Sequence, residues 1–467
     1  MADDESGHDG TQEVSERRTS RRELIKRAST GAVVFAYGGA AAKTAAAKVP
    51  QHRHKELAGT LRIAQWSHFV PAYDVWFDKV YTKRWGQAND TEVIVDHIGQ
   101  ADIPARAAAE VAAQSGHDLF WFLAPPAQYE DQVIDHTDVV KAISKKRGKM
   151  ADVCYRSTYN PRTKKYFAFA DTYAPDPVHW RKDYWTQVGF PNGPTTWDVV
   201  LKAAPKLKDI GHPIGIGMSN EIDSNMALMA MMMCFGSFIQ NKDQHVVLNS
   251  KETVEVLKFA RELYRQGMSN EIFAWTAASN NQAMLAGRLS MTMNAISITR
   301  SAELSNPDLA SKIELMAIPK GPHGRLGLEH VMGAYVIWKF AKNKPMAKKF
   351  LIDLETKYIG AFENSKFYNF PSWPSAVTNI GRRVERDAVA KPSGKYKVLA
   401  EIADKYTLNP GWPGNTNAAI DEIFNKFMVP QMFAEVAQGK RTPEEAAKVY
   451  DRSFRSIFQR WHNRGKI

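Results

Sequence analysis

Apolar residues first fall into a regular pattern at residues 60–66, TLRIAQW, which predicts a strand. A helix is expected over 71–85, opening at Pro71 and stopped by Gly86. A strand follows over 91–98, then an Ala-rich helix over 102–114 with Gly116 just past its end, then a short buried strand over 118–122. Strand, helix, strand, helix, strand is the order of a parallel sheet with right-handed crossovers. Ligands of such sheets sit outside the carboxyl ends of the strands, which puts Trp66, Ser67, His68, His97 and Trp121 on one rim by position alone.

The pattern changes after a strand-like run at 166–173, where Pro175 and Pro177 interrupt it. Thr195 with Asp198 three residues on predicts a capping box opening an amphipathic helix that carries Trp197, Val200, Leu201 and Leu207. Ser250 opens another helix, ended by Gly267. Strands are expected over 290–294, 315–318 and 333–338, the last followed by a Lys-rich helix through Leu354. The final helix opens at Thr442, with Pro443 in its first turn and Glu445 completing the box. Residues 226–239 form a Met-rich apolar run too short to span a bilayer, so a buried helix is expected there.

The first 47 residues obey a different logic. Acids up to Glu16 give way to Arg17, Arg18, Arg21, Arg22, Lys26 and Arg27, and then to a nearly uncharged stretch over 28–42. The SRRELIK core at 20–26 marks a twin-arginine (Tat) signal peptide over 1–47, with cleavage expected between 42 and 48 at the small residues there. No cysteine follows the apolar part, so the expectation is free release into the periplasm rather than a lipid anchor.

Composition narrows the class without naming a task. A chain of 467 residues with 44% hydrophobic residues suggests two or three compact units. Its 12 tryptophans hint at rings that face a ligand as well as fill a core. Net charge is +12, and it belongs to the mature part, because residues 1–47 carry seven basic and seven acidic side chains. The basic residues are scattered among acids, a solvated surface rather than a nucleic-acid stripe. Cys154 and Cys234 are too few for a disulfide scaffold and are expected to be two separate buried thiols.

Catalytic signatures are missing. Residues 217–221, GMSNE, lack the second glycine of a nucleophile elbow. There is no CxxC, HExxH or Gly-rich phosphate loop, and His52 and His54 stand in a linker. Binding rather than catalysis is expected, with no cofactor and no metal.

The order of segments resembles the family 1 extracellular solute-binding proteins of ABC importers, the group that includes the maltose-binding proteins. SGHDLFWF resembles the family's helix end plus strand. PTTWDVVLKAAPKL resembles its helix start in the second lobe, and AGRLSMTMNA a Met-containing strand ending in a ligand-side polar residue. LEHVMGAYVIWKFAKNKPMAKKFL resembles the strand and helix that return to the first lobe, FPSWPSAV the crossover after it, and TPEEAAKVY the terminal helix start. The likeness covers nearly all of 58–460.

It implies an α/β two-lobed periplasmic-binding-protein fold, each lobe a mostly parallel sheet flanked by helices, joined by crossing hinge segments. The N-terminal lobe would comprise 58–172 and 327–371, and the C-terminal lobe 173–326 and 372–467. Carried over residue by residue, ligand contact falls to Trp66, Ser67, Trp121, Asp171, Tyr173, Asn294, Glu329, His330, Trp373 and Trp412. Such a set suits a sugar, whose C–H faces stack on rings while its hydroxyls need polar partners. Glu329 to Gly333 replaces the usual double glycine, and GWPG at 411–414 stands in place of a polar and aromatic loop.

The implied partners are a small-molecule ligand and the ABC permease at the inner membrane, with the receptor itself a monomer. Two other ligand classes stay open: an acid-lined cleft would indicate a polyamine, and convergence of Arg156, Arg181 or Arg300 an anion such as a phosphorylated polyol. An exported polysaccharide-processing enzyme is the remaining alternative.

Overall fold

The computed structural model describes residues 59–467. The expected signal over 1–47 lies outside the described residues. Strands in chain order are β1 (Thr60–Trp66), β2 (Glu92–Ile98), β3 (Leu119–Phe122), the hairpin β4 (Tyr159–Asn160) and β5 (Lys165–Tyr166), β6 (Phe169–Ala174) and β7 (Val178–Arg181). They continue as β8 (Ile214–Gly215), β9 (Met291–Met293), β10 (Ile313–Met316), β11 (Gly327–Leu328), β12 (Val331–Ile337), β13 (Phe370–Pro371) and β14 (Thr407–Leu408). Ten of them form two sheets, one in the order β13-β6-β12-β3-β1-β2 and the other β10-β7-β9-β8, while β11 pairs with β14 and β4 with β5.

Both sheets are mixed, which corrects the expectation of mostly parallel ones. β1 pairs parallel with β2 and β3, as the helical crossovers require. β12 runs antiparallel to β3 and to β6, and β13 antiparallel to β6. The reason lies in the chain path. β6 leaves the first sheet for β7 in the second, and β12 returns after β11, so an outgoing and an incoming strand lie side by side with opposite sense. In the second sheet only β8 and β9 are parallel.

Burial in β1 alternates at its start and becomes continuous from Ile63 to Trp66. Leu61 and Ile63 of β1 are fully buried while Arg62 between them is exposed. The helix expected over 71–85 forms as Pro71–Trp76, a wide turn over Phe77–Tyr81, and Thr82–Ala88. Gly86 does not stop it. A Cβ there would stand 2.6 Å from the Thr91 carbonyl oxygen, so this glycine admits the close approach of the next strand.

A second correction concerns the cap expected at Thr195. The helix is Trp197–Asp209, and Thr196 caps it, its hydroxyl accepting from the Val199 N–H at 3.1 Å. Thr195 is engaged elsewhere, its carbonyl accepting from the Lys320 N–H at 3.1 Å. The cap at Ser250 and the box at Thr442 with Glu445 form as expected.

Residues 226–235 of the Met-rich run lie in the helix Ile222–Phe235, in which every residue from Asp223 onward is buried, so no polar stripe marks it; Gly236, in the left-handed region, ends the helix before the run reaches 239. Cys154 and Cys234 are free and buried. No helix among the described residues is long and apolar enough to cross a membrane.

Candidate functional site

A cavity of about 500 Å³ lies beyond the carboxyl ends of β2 and β3. Gln100, Ile103 and Pro104, which follow β2, and Phe122, Leu123 and Tyr129, at and after the end of β3, form one wall. Asn220, Glu221 and Ile222, which follow β8, face it together with Trp275, and Asp421, Phe424 and Phe427 from the C-terminal helices complete the lining. Both sheets thus present the ends at which α/β folds hold ligands.

Two carboxyl groups stand in this mostly apolar and aromatic lining. Glu221 caps the helix Ile222–Phe235, accepting from the N–H groups of Asp223 at 2.7 Å and Ser224 at 2.6 Å and from the Ser224 hydroxyl. Burial, reinforced by the neighbouring Asp223, pushes its carboxyl up to about 8. Asp421 accepts from the Gln128 N–H at 2.8 Å, tying the C-terminal helices to the segment after β3, and burial pushes it likewise to about 8.

Deeper in, a polar cluster gathers at the carboxyl ends of β8 and β9. The Asn294 amide, one residue past β9, lies 2.9 Å from Asn280 Oδ1 and 3.3 Å from Asp223 Oδ2, and the Asn280 amide donates to that same oxygen at 2.7 Å. His330 closes the group, with Nδ1 3.2 Å from Asp176 Oδ1 and Nε2 3.6 Å from Asp223 Oδ1. Burial works to lower His330, but Asp223, Asp176 and Glu221 outweigh it and hold the imidazole above its usual value. Burial and the same two aspartates raise the Tyr368 phenol, whose hydroxyl makes no hydrogen bond among the described residues.

Tyr368 leads to an aromatic wall. Its ring centroid is 6.3 Å from Trp66 and 4.9 Å from His68. Trp66 in turn stacks on Trp121, centroids 5.3 Å apart and planes 8° from parallel. The seat of Trp121 depends on Gly333, where a Cβ would come within 2.6 Å of the indole and 2.4 Å of Thr172. His68 is neutral, since burial pushes it down to about 4, and its Nδ1 accepts from the Val70 N–H at 2.8 Å.

The ten residues carried over by resemblance therefore divide. Trp66 and Trp121 meet in the stack, with exposed Ser67 beside them, and Asn294 and His330 meet at Asp223. Asp171 is buried, and burial pushes its carboxyl to about 7 against the pull of the Trp121 indole N–H. The others have partners of their own. Tyr173 packs against Phe370, and Trp373 stacks on Phe169 while donating to Ser144 Oγ at 3.1 Å. Glu329 is approached by the Ser157 hydroxyl at 3.4 Å, and Trp412 lies under the Arg156 guanidinium at 5.0 Å. None of the ten lines the 500 Å³ cavity.

Asp176, Glu221, Asp223, Trp275 and Asp421 do not stand out in the sequence. Glu221 ends the stretch GMSNE that fails as a nucleophile elbow, and its real signal is a capping carboxylate just before an apolar helix. Trp275 belongs to an aperiodic loop that carries no pattern.

A mixed sheet pair with ligand-facing carboxyl ends, linked by adjacent crossing strands, is the architecture of the periplasmic binding proteins. Solved structures share it at low identity. An ABC transporter solute-binding protein from Thermotoga lettingae TMO bound with α-D-tagatose has a TM-score of 0.72 at 17% identity, over 86% of this chain and 100% of that one. The maltose-bound MalE3 of T. maritima gives 0.70 at 16%, over 86% and 100%. A sugar transporter protein from Arthrobacter chlorophenolicus A6 with bound laminaribiose gives 0.71 at 18%, over 85% and 99%. A comparison with curated protein sequences finds no match.

The family model described as bacterial extracellular solute-binding protein matches residues 78–354. The chain belongs to that family, whose task is binding a solute rather than transforming one.

Proposed function

We propose that the protein is the receptor of an ABC importer for a carbohydrate, exported by the twin-arginine pathway and working as a monomer in the periplasm. The observation that carries this reading is the cavity of about 500 Å³ at the carboxyl ends of strands from both sheets, with Phe122, Tyr129, Trp275 and Phe424 as ring walls. Aromatic faces take the C–H faces of a sugar, and the few polar groups among them fix its hydroxyls. The tagatose, maltose and laminaribiose complexes on the same architecture support it.

In this reading 58–172 with 327–371 and 173–326 with 372–467 act as two lobes that close on the solute and present a closed face to the permease. Trp66, Ser67, Trp121, Asp171, Tyr173, Asn294, Glu329, His330, Trp373 and Trp412 are proposed to contact the solute on closure. A thermal-shift screen of the purified protein against mono- and oligosaccharides tests the proposal. One carbohydrate class should raise the Tm by several degrees at saturating concentration, because ligand binds only the folded state. A screen in which every sugar leaves the Tm in place would overturn it.

A further inference from the structure

We propose that the solute carries a positively charged amino group, in the simplest case an amino sugar; this rests on the carbohydrate reading above. The chain carries a net +12, yet no Lys, Arg or His side chain lines the cavity, whereas the carboxyl groups of Glu221 and Asp421 do. A basic protein has gathered acids alone at its solute cavity.

The acidity continues inward. Through the 2.7 Å hydrogen bond from the Asp223 N–H, Glu221 adjoins Asp223, and His330 links Asp223 to Asp176. Asp223 and Asp176 are 6% and 3% exposed, and the imidazole of His330 is the one cationic group paired with them among the described residues. Asp176 Oδ2 is buried and accepts no hydrogen bond among the described residues. Buried carboxylates call for a donor that also carries charge, and an ammonium group is both. Trp275, Phe424 and Tyr129 line the same cavity, and aromatic rings attract a cation placed over them.

The arginines that an anionic solute would need are committed to other partners. Arg156 pairs with Asp152, Arg181 with Asp183, and Arg300 with Glu303 and Asp387. Burial holds Glu221 and Asp421 at about 8, so a hydroxyl-only solute leaves both protonated at neutral pH, whereas an ammonium group beside them favours their ionised form and gains a charge-assisted contact.

Isothermal titration with four probes tests the inference. Cellobiose, the glucosamine dimer of the same linkage and its di-N-acetyl form share one skeleton and differ in bearing a hydroxyl, an ammonium or a neutral amide; spermidine is an amine without hydroxyls. The glucosamine dimer should bind at least about tenfold more tightly than either neutral disaccharide, the scale of one charge-assisted contact. Asp223→Asn and Asp421→Asn, which keep side-chain shape, should each reduce that preference to about threefold or less.

Neutral disaccharides binding as tightly as the amine would overturn the charge inference and leave the carbohydrate reading standing. Spermidine binding alone would keep the charge and overturn the carbohydrate. Heat from none of the four would overturn both. Should either variant fail to fold, the ranking of the four probes on the native protein still separates these outcomes.

Discussion

His330 Nδ1 lies 3.2 Å from Asp176 Oδ1, and the two residues stand on the two chain segments that pass between the sheets, one leaving β6 and one entering β12. The His330 N–H also donates to the Ala174 carbonyl at 2.9 Å, so main chain and side chain both bind the crossings together.

This pair sets a pH dependence. Folded His330 holds its proton more firmly than an unfolded histidine, whose pKa is about 6.5. Its contribution to stability is therefore complete below about pH 6.5 and fades as pH rises through the folded value. Relative to His330→Gln, the native protein should lose Tm as pH climbs above about 6.5, measured by scanning calorimetry. Parallel Tm profiles for the two proteins would remove His330 from this role.

A second buried pair lies beside β2 and β3. Glu110 accepts from the His117 N–H at 3.0 Å and faces its Nδ1, while Nε2 of the same ring meets Asp96 at 2.8 Å. Replacing Glu110 by alanine takes away the buried one of the imidazole's two carboxylate partners, leaves it the exposed Asp96, and should cost about 1–3 kcal/mol in urea unfolding. A loss under about 1 kcal/mol would show the pair to be no more than a surface ion pair.

Helix capping offers a sharper contrast. Thr196→Ala removes the hydroxyl that accepts the Val199 N–H and should cost about 1 kcal/mol, whereas Thr195→Ala should cost little, since Thr195 acts through its backbone. Equal losses at the two threonines would return the cap to Thr195.

The Met-rich helix is a packing element. Met231 is fully buried, and Met231→Ala should lower stability by about 2–5 kcal/mol in chemical denaturation. A neutral outcome would mean that the surrounding core collapses around the loss.

The proposed solute site separates into parts that substitution can resolve. Trp275→Ala should weaken binding of the solute found in the thermal screen by about 2 kcal/mol with a small change in Tm, because the ring lines the cavity and is only half-buried. Trp66→Ala and Trp121→Ala should weaken binding too, but with a marked drop in Tm, since each ring packs on the other. Unchanged affinity in all three variants would dismiss the aromatic walls as solute contacts.

Much of the fold is legible because its elements carry strong local signals. The run TLRIAQW becomes β1 residue for residue, and the box at Thr442 opens the helix Pro443–Asn463. Strand direction is not legible, because it depends on which part of the chain returns to β3 and β6 and no local pattern records that. The site is half legible. Trp66 and Trp121 can be placed from strand ends alone, but β8 is two residues long and Trp275 sits in a loop, so neither leaves a periodic trace. Asp176 stands between Pro175 and Pro177, where the prolines read as an interruption and hide the residue that faces His330.

The strand pairing at the crossings has a mechanical meaning. β6 is hydrogen-bonded to β12 from Phe169–Tyr335 to Ala174–Val331, and β13 joins β6 on its other edge at Tyr173 and Phe370. Separate tethers would let one half of the molecule twist, slide and tilt against the other. Strands laced into a ribbon resist sliding, since that would break several ladder bonds together, and leave bending across the ribbon as the soft coordinate. If the two sheets move against each other, bending across this ribbon breaks the fewest ladder bonds, and the bend runs past His330 and Asp176.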